Sequence, residues 1–76
     1  MKLYFENSWG ERRLIGEPET IIEGQAIIRQ FCAERNYEIP YFRWWVEGNE
    51  VCVDTGSHSE FFYYQNDDGS PIELPT

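Results

Sequence analysis

Basic residues are scarce in this sequence, histidine occurs once, cysteine occurs twice, and long apolar runs are missing. Each shortage excludes something. Six basic residues against fourteen acidic ones leave a net charge of −8, which argues against electrostatic binding to a phosphate backbone. A structural zinc site needs about four ligands, and two cysteines with one histidine fall short of that. No stretch approaches the ~20 apolar residues of a membrane span. Lys2 leads directly into a strand-like segment, without the apolar core of a signal peptide. The expectation is therefore a cytoplasmic domain with no metal, no cofactor, no membrane and no direct nucleic-acid contact. Cys32 and Cys52 read as reduced, buried thiols behaving as small hydrophobes. A Cys32–Cys52 bridge stays geometrically open if a helix lies over that strand, although a reducing compartment disfavours it.

What is abundant is aromatic surface: three Trp, five Tyr and five Phe in 76 residues. A chain of this length has room for one core, and each apolar contact in it matters. Lys2 to Glu6 is rich in strand formers, Asn7-Ser8-Trp9-Gly10 has turn chemistry, and Arg12 to Ile15 resumes as a second strand. Gly16-Glu17-Pro18 breaks that strand. Thr20 then stands three residues before Glu23, the spacing of a capping box. From there Ile21, Gly24, Ile27, Ile28, Phe31 and Cys32 fall on one helical face. Gly24 costs about 1 kcal/mol against alanine inside a helix, which a close approach to a sheet would offset. The helix should end near Arg35-Asn36, with Asn in the left-handed cap.

Ile39-Pro40 forces an extended lead-in to a third strand over residues 41–47, the strongest strand signal in the chain. Gly48-Asn49 predicts a two-residue hairpin loop into a fourth strand at Val51 to Asp54, and Glu60 to Tyr64 reads as a fifth. The order β-β-α-β-β-β with short connections predicts an α+β fold, one helix packed on one face of an antiparallel sheet. Residues 1–65 form the expected domain. Residues 66–76 read as an acidic, flexible tail unable to contribute to a core.

Strand alternation sorts the faces. Leu3, Phe5, Ile15, Phe42, Trp44, Val46, Val51, Val53 and one register of the fifth strand are expected beneath the helix. Tyr4, Tyr41 and Trp45 are left on the uncovered face beside Arg43, joined by either Phe61 with Tyr63 or Phe62 with Tyr64. Such a set exceeds the apolar patch that monomers usually tolerate, and Tyr, Trp and Arg are enriched at interface hot spots. The candidate partner-binding residues are accordingly Tyr4, Tyr41, Arg43, Trp45, Asp54, His58, Phe61 and Tyr63.

Catalytic motifs are weak. Asp54-Thr55-Gly56 matches the triplet of aspartic proteases, but that chemistry needs two aspartates sharing a proton and a longer chain. Ser57-His58-Ser59-Glu60 contains the residue types of a triad, yet loop neighbours seldom face one another correctly. Both segments are better explained by Asp and Ser side chains bonding the backbone, and the expected protein is not an enzyme.

The opening Met1-Lys2-Leu3-Tyr4-Phe5-Glu6-Asn7-Ser8, the following Leu14-Ile15-Gly16-Glu17-Pro18, and the later Asp54-x-Gly56-Ser57-His58-x-Glu60-Phe61-Phe62 carry a resemblance. Together they resemble a group of small uncharacterised phage and prophage proteins of Gram-positive bacteria, over most of the chain up to about residue 64. The resemblance implies a phage accessory protein, a pool in which small acidic members are often inhibitors of host defence, including anti-CRISPR proteins. It carries no catalytic motif. The leading expectation is an inhibitor that binds a host defence protein, with an acidic surface occupying a basic nucleic-acid channel. A dimeric nucleotide or small-ligand sponge, using the aromatic and Arg43 face, is the alternative, and a structural or regulatory homodimer is a third.

Overall fold

The computed structural model describes residues 1–57 and 59–74. Five strands and one helix follow in the order β1 (Lys2–Glu6), β2 (Arg12–Gly16), α1 (Ile21–Glu34), β3 (Arg43–Glu47), β4 (Glu50–Asp54) and β5 (Phe61–Gln65). The strands form one antiparallel sheet in the order β2-β1-β5-β4-β3, as the α+β reading expected. β1 and β5 lie side by side near the middle of the sheet, and β2 and β3 form its edges.

The helix begins and ends where local chemistry dictates. Thr20 is extended, and its Oγ1 accepts from the Glu23 N–H at 3.1 Å. The Glu23 carboxylate reaches one residue further back than in the reciprocal box, accepting from the Glu19 N–H at 2.9 Å. At the other end Asn36 adopts φ 57°, a left-handed conformation that Asn tolerates. The Tyr37 N–H then bonds the Cys32 carbonyl at 2.9 Å, and the Asn36 N–H bonds that of Ala33 at 3.2 Å. This is the Schellman arrangement, which satisfies carbonyls the helix would otherwise leave open.

Ile21, Gly24, Ile28, Phe31 and Cys32 face the sheet. They meet Leu3, Val51, Val53, Phe62 and Tyr64, all buried. Phe5, Phe31 and Phe62 interlock with ring centroids 4.6–5.7 Å apart, a spacing at which aromatic pairs add to simple burial. Gly24 is where helix and sheet come closest. A Cβ there would collide with the Tyr64 ring, and the Tyr64 hydroxyl donates to the Ile21 carbonyl at 2.9 Å.

Two expectations need correction. Val46 lies on the helix side of β3 but is 49 % exposed, because β3 is an edge strand and the helix does not cover it there. The domain does not end at Gln65: Ile72 is 7 % exposed and belongs to the core, with Leu74 packed against it. The polar residues before Ile72 turn the chain back toward the sheet. Asn66 Nδ2 donates to Ser70 and Pro71, Asp68 accepts from the Ser70 N–H, and Asn49 Nδ2 holds the Gly69 carbonyl at 3.0 Å. Cys32 and Cys52 are both buried, in keeping with their reading as small hydrophobes, and unbridged. Cys52 pairs with Trp45 and Tyr63 on the side away from the helix, so the sheet itself separates the thiols.

Candidate protein-binding surface

The face opposite the helix is built from cross-strand rows. Leu14, Tyr4, Tyr63, Cys52 and Trp45 are consecutive partners across all five strands. The pairing Leu3↔Tyr64 and Phe5↔Phe62 sends Phe62 and Tyr64 beneath the helix, leaving Phe61 and Tyr63 on the open face. The open register of the fifth strand is thereby decided by its pairing with β1.

Tyr63 nevertheless is not free surface. It is 8 % exposed, because Arg12 extends from β2 across it with its guanidinium carbon 3.9 Å from the ring centroid. The Arg12 fork then bonds Glu50 on β4 at 2.5 and 3.2 Å, while its Nε donates to Glu6 at 3.1 Å. Gln65 supplies a further donor to Glu50. These partners raise the Arg12 pKa, and the Arg12 hydrogen bond holds the Glu50 carboxyl below the usual carboxylate range. Beneath this strap burial pushes the Cys52 thiol up to about 11 and the Tyr63 phenol upward as well. The strap is the feature that strand alternation alone misses. Its one signal in the sequence is the hairpin spacing that sets Arg12 opposite Glu6.

Toward β3 the face opens. Tyr41, Arg43, Trp45, Asp54 and Phe61 line one shallow groove together with Ser57. Tyr41 and Trp45 are exposed, and Arg43 lies 5.1 Å from the Tyr41 ring centroid. Asp54 is buried and fully engaged: one carboxylate oxygen accepts from Arg43 at 2.6 Å, the other from the Gly56 N–H at 2.9 Å. Burial pushes the Asp54 carboxyl up, but these two hydrogen bonds outweigh it and hold the group below its ordinary value. Gly56 has φ 102°, and a Cβ there would strike Pro40, so the turn after β4 is locked against the lead-in to β3. Ser57 Oγ accepts from the Glu60 N–H at 3.1 Å, which closes the loop. Asp54 and Ser57 thus shape backbone, as expected for a strand followed by a polar turn.

Of the eight candidate residues, the groove brings five together: Tyr41, Arg43, Trp45, Asp54 and Phe61. Tyr4 is half-buried in the neighbouring row, Tyr63 lies under the strap, and His58 falls outside the described residues. Trp9, which was not among the candidates, is 85 % exposed at the tip of the β1–β2 hairpin. That loop follows Glu6, as the Ser57 loop follows Asp54, so Trp9 and the groove share one end of the sheet.

A second hollow of about 310 Å³ opens on the helix side, floored by Phe5, Phe62 and Cys32 and rimmed by Glu38 and Glu60. Among the described residues, no three His, Cys, Asp or Glu side chains converge as metal ligands would, and no helix is long and apolar enough to cross a membrane. Comparison of the chain with family models, curated protein sequences and solved structures found no match.

Proposed function

We propose that this chain is a non-enzymatic binding protein that captures a basic protein partner on the groove beside β3. The observation that carries the reading is the grouping of exposed Tyr41 and Trp45 around the Arg43–Asp54 pair. Aromatic anchors around a fixed, charge-assisted hydrogen bond are what interface hot spots consist of. The net charge of −8 favours a basic surface as the complement and would steer its approach.

The resemblance to phage accessory proteins suggests the class of partner: a host defence effector whose nucleic-acid channel the acidic domain would occupy. A protein ligand is favoured over a nucleotide by the state of the arginines. Arg12 already holds Glu6 and Glu50, and the charge of Arg43 is balanced by Asp54, so the face offers a phosphate no cation without a carboxylate beside it.

Affinity capture from a Gram-positive host lysate, in parallel with Trp45→Ala and Arg43→Ala, tests this reading. The expected result is one enriched host protein that both variants lose and that salt releases. If the same proteins are recovered with wild type and variants alike, the groove is not the binding surface.

A further inference from the structure

We propose that β3 pairs antiparallel with β3 of a second copy of this chain, about a two-fold axis through Trp45, joining two sheets edge to edge. This goes beyond the capture of a foreign partner and does not depend on it.

The two edges of the sheet differ. β2 carries Arg12 and Arg13, and its pairing with β1 slips by one residue, Leu3 facing Gly16 and Tyr4 facing Leu14, so that Ile15 bulges out. Bulges and charges are the usual means by which an edge is closed to further strands. β3 has neither. Its five residues pair with β4 without a slip, contain no proline or lysine, and expose Trp45 and Val46.

The backbone of β3 is also set for pairing. The two-residue Gly48–Asn49 loop, with Gly48 at φ 63°, makes Glu47 and Glu50 the hydrogen-bonded pair that closes the hairpin. Alternate residues then point their N–H and C=O groups the other way, so Trp44 and Val46 present theirs at the outer edge. Among the described residues, no other backbone group takes up those hydrogen bonds.

The sequence of β3, Arg43-Trp44-Trp45-Val46-Glu47, complements itself when reversed. With the axis at Trp45, Arg43 faces Glu47 of the second copy and Glu47 faces Arg43 of the second copy. Trp44 and Val46 become hydrogen-bonded partners across the axis, and they are the residues whose backbone groups point outward. The two Trp45 side chains meet at the non-hydrogen-bonded site, where opposed side chains approach most closely. On the helix side, Trp44 of each copy covers the exposed Val46 of the other. Shifting the pairing by two residues either way keeps the hydrogen-bond phase but sets Arg43 or Glu47 against Trp45, and the reciprocal ion pairs are lost. Charge therefore selects the one register. Arg43 can serve it because Asp54 engages only its Nη2.

Sedimentation of the purified chain across the micromolar range should show a monomer–dimer equilibrium. Val46→Lys, at an exposed position, should weaken the dimer by about tenfold or more while leaving thermal unfolding of the monomer unchanged. Glu47→Lys, which sets Lys against Arg43 of the second copy, is the companion variant should Val46→Lys fail to fold. Under mild oxidation Trp45→Cys should link into a covalent dimer and Glu47→Cys should not, since only position 45 faces itself. A chain monomeric throughout, a dimer indifferent to both lysine variants, or crosslinking at position 47 in preference to 45 overturns the proposal. A monomeric Val46→Lys that still captures the host partner separates this result from the binding function.

Discussion

The Tyr64 ring fills the space that a side chain at position 24 would occupy, and its hydroxyl donates to the Ile21 carbonyl 2.9 Å away. Glycine in the helix and tyrosine in the sheet are therefore one fitted unit. Helix propensity alone would make Gly24→Ala stabilising by about 1 kcal/mol. The collision should reverse the sign, for a net loss of about 1–2 kcal/mol in urea unfolding. Tyr64→Phe should lose about 1 kcal/mol through the missing hydrogen bond. A more stable Gly24→Ala would mean that the helix is free to lift off the sheet.

Arg12 crosses two strands to reach Glu50, and what it covers depends on it. Arg12→Met keeps an apolar cover over Tyr63 but leaves Glu6 and Glu50 without their shared cation. A loss of about 1–2 kcal/mol is expected, larger at low salt than at high salt. Salt-series denaturation of wild type and variant measures it, and equal losses at all salt concentrations would count against an ionic origin.

The pH dependence has two limbs. Glu50 and Asp54 are held below their ordinary values in the folded state. Their stabilisation is fully present above the unfolded carboxylate values near ~4 and is lost as pH falls through the folded ones. Tyr64 is displaced upward by burial. Its contribution is intact below the unfolded phenol value near ~10 and is lost as pH rises beyond it. Urea midpoints across the pH range should be flat near neutrality and fall at both ends. Arg12→Met should shallow the acid limb, and Tyr64→Phe the alkaline one.

The two cysteines should be silent while the domain is folded. Cys32 and Cys52 are at most 2 % exposed, and burial raises both thiol pKa values. Reaction with a thiol reagent should be slow in buffer and stoichiometric in denaturant. Thermal unfolding should be indifferent to reductant, since no bridge joins the two faces of the sheet.

Residues beyond the fifth strand should carry stability. Ile72→Ala is expected to cost about 2 kcal/mol, the low end for a buried isoleucine near a surface. Removal of residues 66–76 should cost more than that. A truncated chain with an unaltered melting temperature would restore the view of this segment as a tail.

The element order and the helix ends were legible because their signals are local. Thr20 and Glu23 settle the start of the helix through their side chains, while Asn36 and Gly48 settle its end and the hairpin through backbone at positive φ. Alternation sorted the residues of β1, β3 and β4 onto their proper faces, yet face is not burial: Val46 points to the helix side and is exposed because nothing reaches it there. Tyr63 failed in the opposite sense, covered by an arginine from a strand two places away. The register of β5 waited on Leu3, distant in sequence, and Ile72 was hidden among polar neighbours whose turn directs it into the core. The groove was legible for the residues around β3, where exposure follows from the edge position, and illegible where long side chains cross strands.

The sheet order has a consequence for how the molecule comes to exist. β1–β2 and β3–β4–β5 are each built from short hairpins or brief connections and can close early. The two parts join only when Lys2 meets Gln65 and Glu6 meets Phe61 at the middle of the sheet. That seam unites nearly opposite ends of the chain, so loop closure is the slow event, and on the ribosome it must wait for β5 to emerge. Until then one edge of β1 is unpaired and the apolar side of the helix lacks Phe62 and Tyr64, and the time spent in that half-made state sets how exposed the protein is to aggregation.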